Sequence, residues 1–128
     1  MRHDLLADMF AVIKNAESLG KKECHIPASK LIKGVLEIIR KNDYIGDFEF
    51  VEDGRGGRFR INLRGRINNC NVIRPRFSIK SHDTIRWEKK YLPSDRVGIL
   101  LITSSKGVID QDEAKKTRNG GKLLGFVY

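Results

Sequence analysis

The chain has 128 residues, and its 25 Lys and Arg against 16 Asp and Glu give a formal net charge of +9 at pH 7. A hydrophobic fraction of 40% is sufficient for a core and argues against a disordered chain, while apolar stretches such as Val97–Ile102 are far shorter than the roughly 20 residues of a membrane span. We therefore expect a soluble, unexported protein of one ordinary domain or two small ones, with a polyanionic partner.

The first half of the chain predicts the order helix, strand, helix, strand, strand. Apolar residues at helical spacing indicate the helices, and short runs of alternating residues indicate the strands. The expected ranges are a helix over 5–19, a strand over 22–26, a helix over 30–42 and strands over 44–51 and 58–64. We expect Asp4 and Gly20 to bound the first helix. Ser29 or Ala28 is expected to cap the second helix, and Asp53–Gly57 to form the turn between the last two strands.

The second half predicts a separate, mostly β module with a short helix. Its expected elements are a strand over 72–80 bent at Pro75, a short helix or turn over 84–90, a buried strand over 97–102, a helix that begins at Asp110 and ends at Gly120-Gly121, and a closing strand over 123–128. The polar stretch Arg64–Asn71 interrupts the pattern and separates the modules. The expected fold class is α+β, with a small N-terminal α/β domain over 1–66 and a mostly β C-terminal domain over 67–128.

The positive charge is concentrated in the second half. Residues 1–57 carry 9 basic and 10 acidic side chains, a net charge of −1, whereas residues 58–128 carry 16 basic and 6 acidic side chains, a net charge of +10. The stretch 54–82 has no Asp or Glu, and its eight cations are Arg55, Arg58, Arg60, Arg64, Arg66, Arg74, Arg76 and Lys80. The second half is therefore expected to make most of the contact with a polyanion.

Alternation within the basic stretch indicates folded strands and not a basic tail. Arg58 and Arg60 fall on one face of a strand, while Phe59 and Ile61 fall on the other face and can pack on a core. The guanidinium group suits bidentate contact with phosphate. We therefore interpret the polar face as a phosphate-binding surface, with solvent or a neighbouring protein as the alternatives.

The residue pattern offers little support for metal binding or catalysis. Cys24 and Cys70 lack the spacing of a disulfide framework, so we expect reduced thiols, and the three histidines are scattered through different elements. The glycine-rich Asp53–Gly57 has neither the spacing nor the Lys of a phosphate-binding loop. We therefore expect no metal, no cofactor and no catalytic residue.

Several motifs together resemble the ribosomal protein S-eight family of the small subunit, over essentially the whole chain. They are Ala7-Asp8-Met9, Ile26 to Leu31, Tyr44-Ile45, Thr103 to Ile109, Glu113-Ala114 and the ending Gly120 to Tyr128. Their order and spacing carry the resemblance, because each block alone is weak. The segments Arg74 to Phe77 and Glu88 to Pro93 are similar to the archaeal and eukaryotic branch. Leu5 stands in place of a common Pro, and Ser104 in place of the usual Thr of the signature loop.

The resemblance implies a non-enzymatic, structural protein of the small ribosomal subunit. Its expected role is primary binding to the central domain of 16S-type ribosomal RNA and assembly of the platform, in the cytoplasm and beside neighbouring ribosomal proteins, with no membrane and no small-molecule substrate. The hydroxyls, Lys and Gly of the signature loop suit contacts with 2′-OH groups, phosphates and base edges. The expected RNA-binding residues are Thr103, Ser104, Ser105, Lys106, Gly107, Gly121, Lys122, Ser29, Lys30, Lys33, Arg58, Arg60 and Tyr91.

Several of these residues have a second interpretation. Ser29 can cap a helix or bind an anion, Gly121 can end a helix or approach RNA, and Tyr91 can stack on a base or anchor the core. One rival function is a small RNA-processing nuclease, whose Mg²⁺ ligands would be Asp110, Asp112 and Glu113. A basic DNA-binding domain is a third interpretation, although the sequence has no helix-turn-helix or basic zipper pattern.

Overall fold

The computed structural model describes residues 5–54, 56–73, 77–80, 83–93 and 97–128. In chain order, the elements of this part are α1 (Leu5–Ser18), β1 (Glu23–Pro27), α2 (Lys30–Lys41), β2 (Ile45–Val51), β3 (Arg58–Leu63), β4 (Cys70–Val72), β5 (Ser78–Ile79), α3 (Thr84–Tyr91), β6 (Ile99–Ser104), β7 (Gly107–Ile109), α4 (Gln111–Thr117) and β8 (Gly121–Val127). The described residues contain four helices and two antiparallel sheets, which confirms the α+β fold class. The predicted features at Asp4, Arg55, Arg74, Pro75 and Arg76 lie outside the described residues.

Helix α1 forms where the sequence predicts it and ends at the predicted glycine. Its buried face consists of Leu6, Met9, Phe10, Ile13 and Ala16. Gly20 has a φ of +69°, which a residue with a side chain adopts only at a cost in energy. The N–H of Gly20 donates to the carbonyl of Glu17, and the N–H of Lys21 donates to the carbonyl of Ala16. These bonds satisfy carbonyl groups that the end of a helix leaves without partners.

Helix α2 also agrees with the prediction, and the structure decides between its two candidate caps. Ser29 is the N-cap, since its hydroxyl oxygen accepts the N–H of Ile32 at 3.1 Å. The buried face of α2 consists of Ile32, Val35, Leu36 and Ile39, at helical spacing. The first turn of α2 is therefore held at a fixed place beside the end of β1.

The first sheet has the strand order β1-β3-β2, and β3 pairs antiparallel with both neighbours. The alternation predicted for β3 is confirmed, because Phe59 and Ile61 are buried while Arg58 is exposed. Two hydrogen bonds fix the turn before β3: Asp53 Oδ1 accepts the N–H of Gly57 at 3.0 Å, and Glu52 Oε1 accepts the N–H of Gly54 at 3.1 Å.

The second sheet has the order β4-β8-β6-β7, with β5 paired to β8 outside this path. One face of this sheet shares a core with the first sheet and with α1, since Leu101 lies in the same buried cluster as Phe10 and Ile61. The opposite face has its own cluster, in which Leu100 packs with Ala114 of α4. The division into 1–66 and 67–128 falls in the connection between β3 and β4 and stays a prediction.

Two strands of the second sheet differ from their predicted ranges. The single bent strand predicted over 72–80 is two short strands, β4 and β5, which pair with different parts of β8. The strand predicted over 97–102 begins at Ile99 and continues to Ser104, and Val97 is exposed. The consequence is that Thr103 and Ser104 belong to a paired strand and not to a free loop.

The prediction that Gly120-Gly121 ends α4 is wrong. Helix α4 ends at Thr117, and Arg118 follows it in the left-handed conformation with a φ of 56°. Glycine is required at 121 for a different reason, because a Cβ atom there would collide with the carbonyl oxygen of Thr103 on β6. A Cβ atom at Gly120 would likewise collide with the carbonyl oxygen of Ile79. The two glycines therefore allow β8 to lie close to β5 and β6.

Candidate nucleic-acid interface

The turn between β6 and β7 is the centre of the predicted interface. Ser104 pairs with Gly107 across the hairpin, so that Ser105 and Lys106 form a two-residue turn. The hydroxyl of Ser104 donates to the carbonyl oxygen of Gly107 at 2.9 Å and accepts the N–H of Lys106 at 3.2 Å. Gly107 has a φ of +109°, a conformation that glycine adopts readily. The turn is therefore ordered by its own hydrogen bonds before any partner binds.

In this geometry the predicted hydroxyls have different roles: that of Ser104 holds the turn together, and that of Ser105 is exposed to a partner. The Ser104 hydroxyl proton is engaged inside the turn, so that Ser104 offers a partner only an acceptor. Ser105 and Lys106 are exposed at the tip, where the hydroxyl can donate or accept and the ammonium can meet phosphate.

Strand pairing brings Lys122 to the side of Thr103. The two residues are cross-strand partners on β8 and β6, and Thr103 is also paired with Val108 on β7. Ser78 on β5 pairs with Lys122 from the other side. Because directly paired residues point to the same face of a sheet, Ser78, Lys122 and Thr103 form one polar row next to the turn. Gly121 contributes by permitting the close strand packing that places Lys122 there.

The beginning of α2 points toward the same end of the second sheet. Gly34 of α2 lies against Val108, and Asn42 after the helix donates to Asp110 Oδ2 at 3.3 Å. The earlier residue of each pair of contacts, Gly34 in α2, lies against the earlier residue of the other element, Val108 in β7. The later residue Asn42 contacts the later residue Asp110, so α2 and β7 run in the same direction. The first turn of α2, which carries the exposed Lys30 and Lys33 after Ser29, therefore lies on the side of the sheet where the hairpin turn is found.

The strand β3 surface is not uniformly basic, which corrects the sequence-based expectation. Arg60 forms ion pairs with Glu49 and, at 3.9 Å, with Glu23, which belong to the two neighbouring strands. Arg64 also has an acidic partner, since its Nη1 lies 3.4 Å from Oδ1 of Asp43, which precedes β2. Arg58 differs, because its cross-strand partners are the uncharged Pro27 and Val51 and its side chain is exposed. Of these arginines, Arg58 is the one whose register partners leave it available for phosphate.

Tyr91 lies in a row of packed rings on the far face of the second sheet. Its ring centroid is 6.3 Å from that of Trp87 and 5.7 Å from that of Phe126, with nearly parallel planes. Tyr91 is half-buried beside the second core. The structure therefore supports the anchoring interpretation of Tyr91 and leaves part of its ring at the surface.

The acidic residues proposed for a nuclease do not form a metal site. Asp110 is only 6% exposed, and it caps α4: Oδ1 accepts the N–H of Glu113 at 2.8 Å, while Oδ2 accepts the side chain of Asn42. Asp112 and Glu113 belong to the first turn of α4, where a negative charge is favourable. Within the described ranges, no group of three or more His, Cys, Asp and Glu side chains is placed to hold a metal ion.

Both cysteines are buried free thiols. Burial, reinforced by the charge of Glu17, raises the pKa of Cys24 to about 11. Burial also raises the pKa of Cys70 to about 12, and Cys70 donates to the carbonyl oxygen of Phe10 at 3.6 Å. Because the thiolate is the reactive form, neither residue has the properties of a nucleophile. No helix in the described part of the chain is long and apolar enough to cross a membrane.

Fold and surface together define a basic α+β protein with a preformed polar turn suited to nucleic acid. The family model described as ribosomal protein S8 matches residues 4–128. Proteins named small ribosomal subunit protein uS8 are similar over nearly their whole length. The relative from Methanococcoides burtonii is 52% identical over 126 residues, which cover 98% of this chain and 97% of the relative. The relative from Caldivirga maquilingensis is 47% identical with the same coverage, and that from Methanosphaerula palustris is 44% identical over 99% of this chain and 98% of its own.

The chain belongs to the ribosomal protein S8 family. This confirms the resemblance inferred from the sequence motifs, including the likeness to archaeal members. The family is one of ribosomal, RNA-binding proteins of translation, and its place is the ribosome of the cytoplasm.

Three residues that the structure places beside the predicted site were not among the predicted RNA-binding residues. Ser78 joins the polar row through Lys122, and its alternation with Phe77 and Ile79 had already indicated a polar strand face without singling it out. Lys90 and Arg86 lie over aromatic rings near Tyr91, and their positions on one short basic helix are the corresponding signal. The acidic partners of Arg60 have no local signal, because they come from other strands.

Proposed function

We propose that this chain is a structural component of the small ribosomal subunit and binds the central domain of its ribosomal RNA. In this role it is a primary binder that helps to assemble the platform, in contact with neighbouring ribosomal proteins. The observation that carries the proposal is the self-ordered turn that exposes Ser105 and Lys106 beside the row containing Thr103 and Lys122. A turn of this kind loses little conformational freedom on binding.

The chemistry of the turn fits folded RNA better than duplex DNA. Short hydroxyl side chains are the right length to reach 2′-OH groups and base edges in the shallow minor groove of an RNA helix. Cations that can meet phosphates are supplied by the exposed side chains of Lys106, Lys122, Lys30, Lys33 and Arg58. The hydroxyls thus account for specificity and the cations for affinity.

We propose further that the protein is not an enzyme and needs no cofactor or metal. The buried, doubly hydrogen-bonded Asp110 favours the structural role over the nuclease. Incubation of labelled small-subunit RNA with the protein and Mg²⁺ separates the two. The proposal expects intact RNA, and cleavage products that disappear in Asp112→Ala would establish the nuclease instead.

The sharpest test of the RNA site is the Ser105→Ala variant. We expect its affinity for a transcript of the central domain to fall by about 1 to 3 kcal/mol, since the RNA group that faces Ser105 is left without a partner. Nitrocellulose filter binding measures the change. Ser18→Ala is the matched control, because Ser18 is an exposed serine at the end of α1 whose hydroxyl donates only to Asn15. Equal affinities of Ser105→Ala and Ser18→Ala would remove the turn from the site.

Chemical footprinting identifies the nucleotides that the protein contacts and so tests the proposed location in the RNA. Small-subunit RNA is probed with and without the protein, and protection is expected within the central domain. With Ser105→Ala the same nucleotides should require a higher protein concentration for protection. Protection confined to another domain of the RNA would contradict the proposed location while leaving RNA binding itself intact.

A further inference from the structure

Five aromatic side chains form a continuous row on the face of the second sheet opposite to α1. Neighbouring ring centroids are 5.0 to 6.3 Å apart, and the planes of neighbouring rings differ by only 10° to 27°. In order, the members of this aromatic row are Phe77, Trp87, Tyr91, Phe126 and Tyr128. All five are half-buried, so that each ring packs on the second core and keeps part of its surface exposed.

Cations cover the aromatic row, and the acidic residue of the same helix is turned away from it. The ammonium group of Lys90 lies 5.3 to 5.7 Å from the ring centroids of Phe77, Trp87 and Tyr91. The guanidinium of Arg86 lies 5.6 Å from that of Trp87. Glu88 is the one acidic residue of α3, and its side chain is 11% exposed and ion-paired with Lys115 at 2.6 Å. The outer surface of α3 therefore presents rings and positive charge.

The aromatic row begins beside β5, the strand that also carries Ser78 of the polar row. The carbonyl of Phe77 accepts the N–H of Leu123 at 2.9 Å, which fixes this end of the row on β8. The next residue, Ser78, pairs with Lys122, and Lys122 pairs with Thr103 before the turn. The side chains of Ser78, Lys122 and Thr103 point to the face of the sheet opposite to the rings, since their chain neighbours Ile79, Leu123 and Ile102 lie in the cluster beneath the rings. A nucleic acid bound at the turn therefore reaches Phe77 by passing around β5 at the edge of the sheet.

We propose that the aromatic row is a second contact surface for the same ribosomal RNA. Unpaired nucleotides next to the segment bound by the turn lie against Trp87 and Tyr91, and their phosphates meet Lys90 and Arg86. Aromatic rings beside cations are the combination with which proteins bind single-stranded RNA, because every base has a π-face and every nucleotide a phosphate. The positive charge favours this occupant over an apolar protein segment, which would leave Lys90 and Arg86 desolvated without a counter-charge. The inference rests on the proposed function.

Trp87 is the single tryptophan of the chain, so its fluorescence reports on the aromatic row without any substitution. The parent protein is titrated with the central-domain transcript, and Trp87 emission and its quenching by acrylamide are followed. We expect the emission to change and the acrylamide quenching to decrease in parallel with filter binding. Filter binding with unchanged emission and unchanged quenching would overturn the second contact while leaving the proposed function intact. If the two signals change only after ribosomal proteins are added to the RNA complex, the row binds protein and the proposal is wrong.

Substitutions test the rings and the charge separately. Trp87→Leu should weaken binding about tenfold, whereas Trp87→Phe, which keeps an aromatic ring, should stay within about twofold of the parent. Lys90→Gln should lower the slope of log affinity against log salt by about 0.7. Lys116→Gln, which removes an exposed lysine of α4, is the matched control and should have less effect on the slope than Lys90→Gln. Equal losses for Trp87→Leu and Trp87→Phe, or equal slopes for Lys90→Gln and Lys116→Gln, would contradict the proposal. If the parent protein does not bind the transcript at all, the proposed function itself is rejected.

Discussion

The surface of strand β3 and the turn between β6 and β7 are both polar and both belong to the basic part of the chain, yet they differ in their neighbours. On β3, the adjacent strands bring Glu23 and Glu49 to Arg60, so that the charge is compensated within the protein. At the turn, the adjacent strand brings Lys122 to Thr103, so that charge is added to a site already rich in hydroxyls. The comparison teaches that strand register, and not local composition, decides which cations remain available to a polyanion.

The largest effect is expected from Gly121→Ala, which disturbs the strand pairing on which the turn region depends. A Cβ atom at this position would collide with the backbone of Thr103, so that β8 must move away from β6. We expect a loss of about 3 kcal/mol in the free energy of unfolding, measured by urea denaturation. Lys122→Ala is the control and should change stability by no more than about 0.5 kcal/mol, because that side chain is exposed.

The two outcomes of this experiment have different meanings for the turn region. A Gly121→Ala protein of parental stability would show that β8 can shift without cost. In that case the glycine would be needed for the approach of RNA. The affinity of the Gly121→Ala protein for the transcript would then fall, although its stability does not.

A smaller effect is expected from Ser104→Ala, which loosens the turn and leaves the strands intact. The variant loses the bond to Gly107 and the bond from Lys106, while the exposed Ser105 stays in place. We expect RNA affinity to fall by about 1 kcal/mol, because the turn must then be ordered on binding. Ser104→Thr restores the hydroxyl and should bind like the parent. If Ser104→Thr binds as weakly as Ser104→Ala, the hydroxyl bonds are not what orders the turn.

Much of the fold was predictable because its signals are local. The face of α1 that contains Phe10 and Ile13, the cap at Ser29 and the cap at Asp110 each depend on residues within a few positions of one another. The end of α4 was not predictable from the glycine pair. Position 121 requires glycine because of the Thr103 carbonyl oxygen, which is close to it only through strand pairing. A local window contains no information about that neighbour.

The candidate site shows the same division. The turn Thr103–Gly107 could be predicted because it is one continuous segment that resembles a family signature. The neutralisation of Arg60 could not, since Glu49 comes from another strand and reaches it through the register of β2 with β3. The stretch 54–82 contains no acidic residue. In the folded protein, however, strand β3 within it has acidic neighbours from the two adjacent strands.

The smallest effect, and the one that tests the comparison most directly, is the difference between Arg58→Ala and Arg60→Ala. Each phosphate contact that is lost lowers the slope of log affinity against log salt by about 0.7 to 0.9. We expect this decrease for Arg58→Ala, because its register partners are uncharged, and little change for Arg60→Ala, whose charge is already compensated. Filter binding at a series of salt concentrations measures both. Glu49→Gln sharpens the test, since removing the partner of Arg60 should release the guanidinium and raise RNA affinity slightly. Equal slopes for the two arginine variants would mean that the Glu49 ion pair gives way to phosphate when the RNA binds, and register would then no longer distinguish the two arginines.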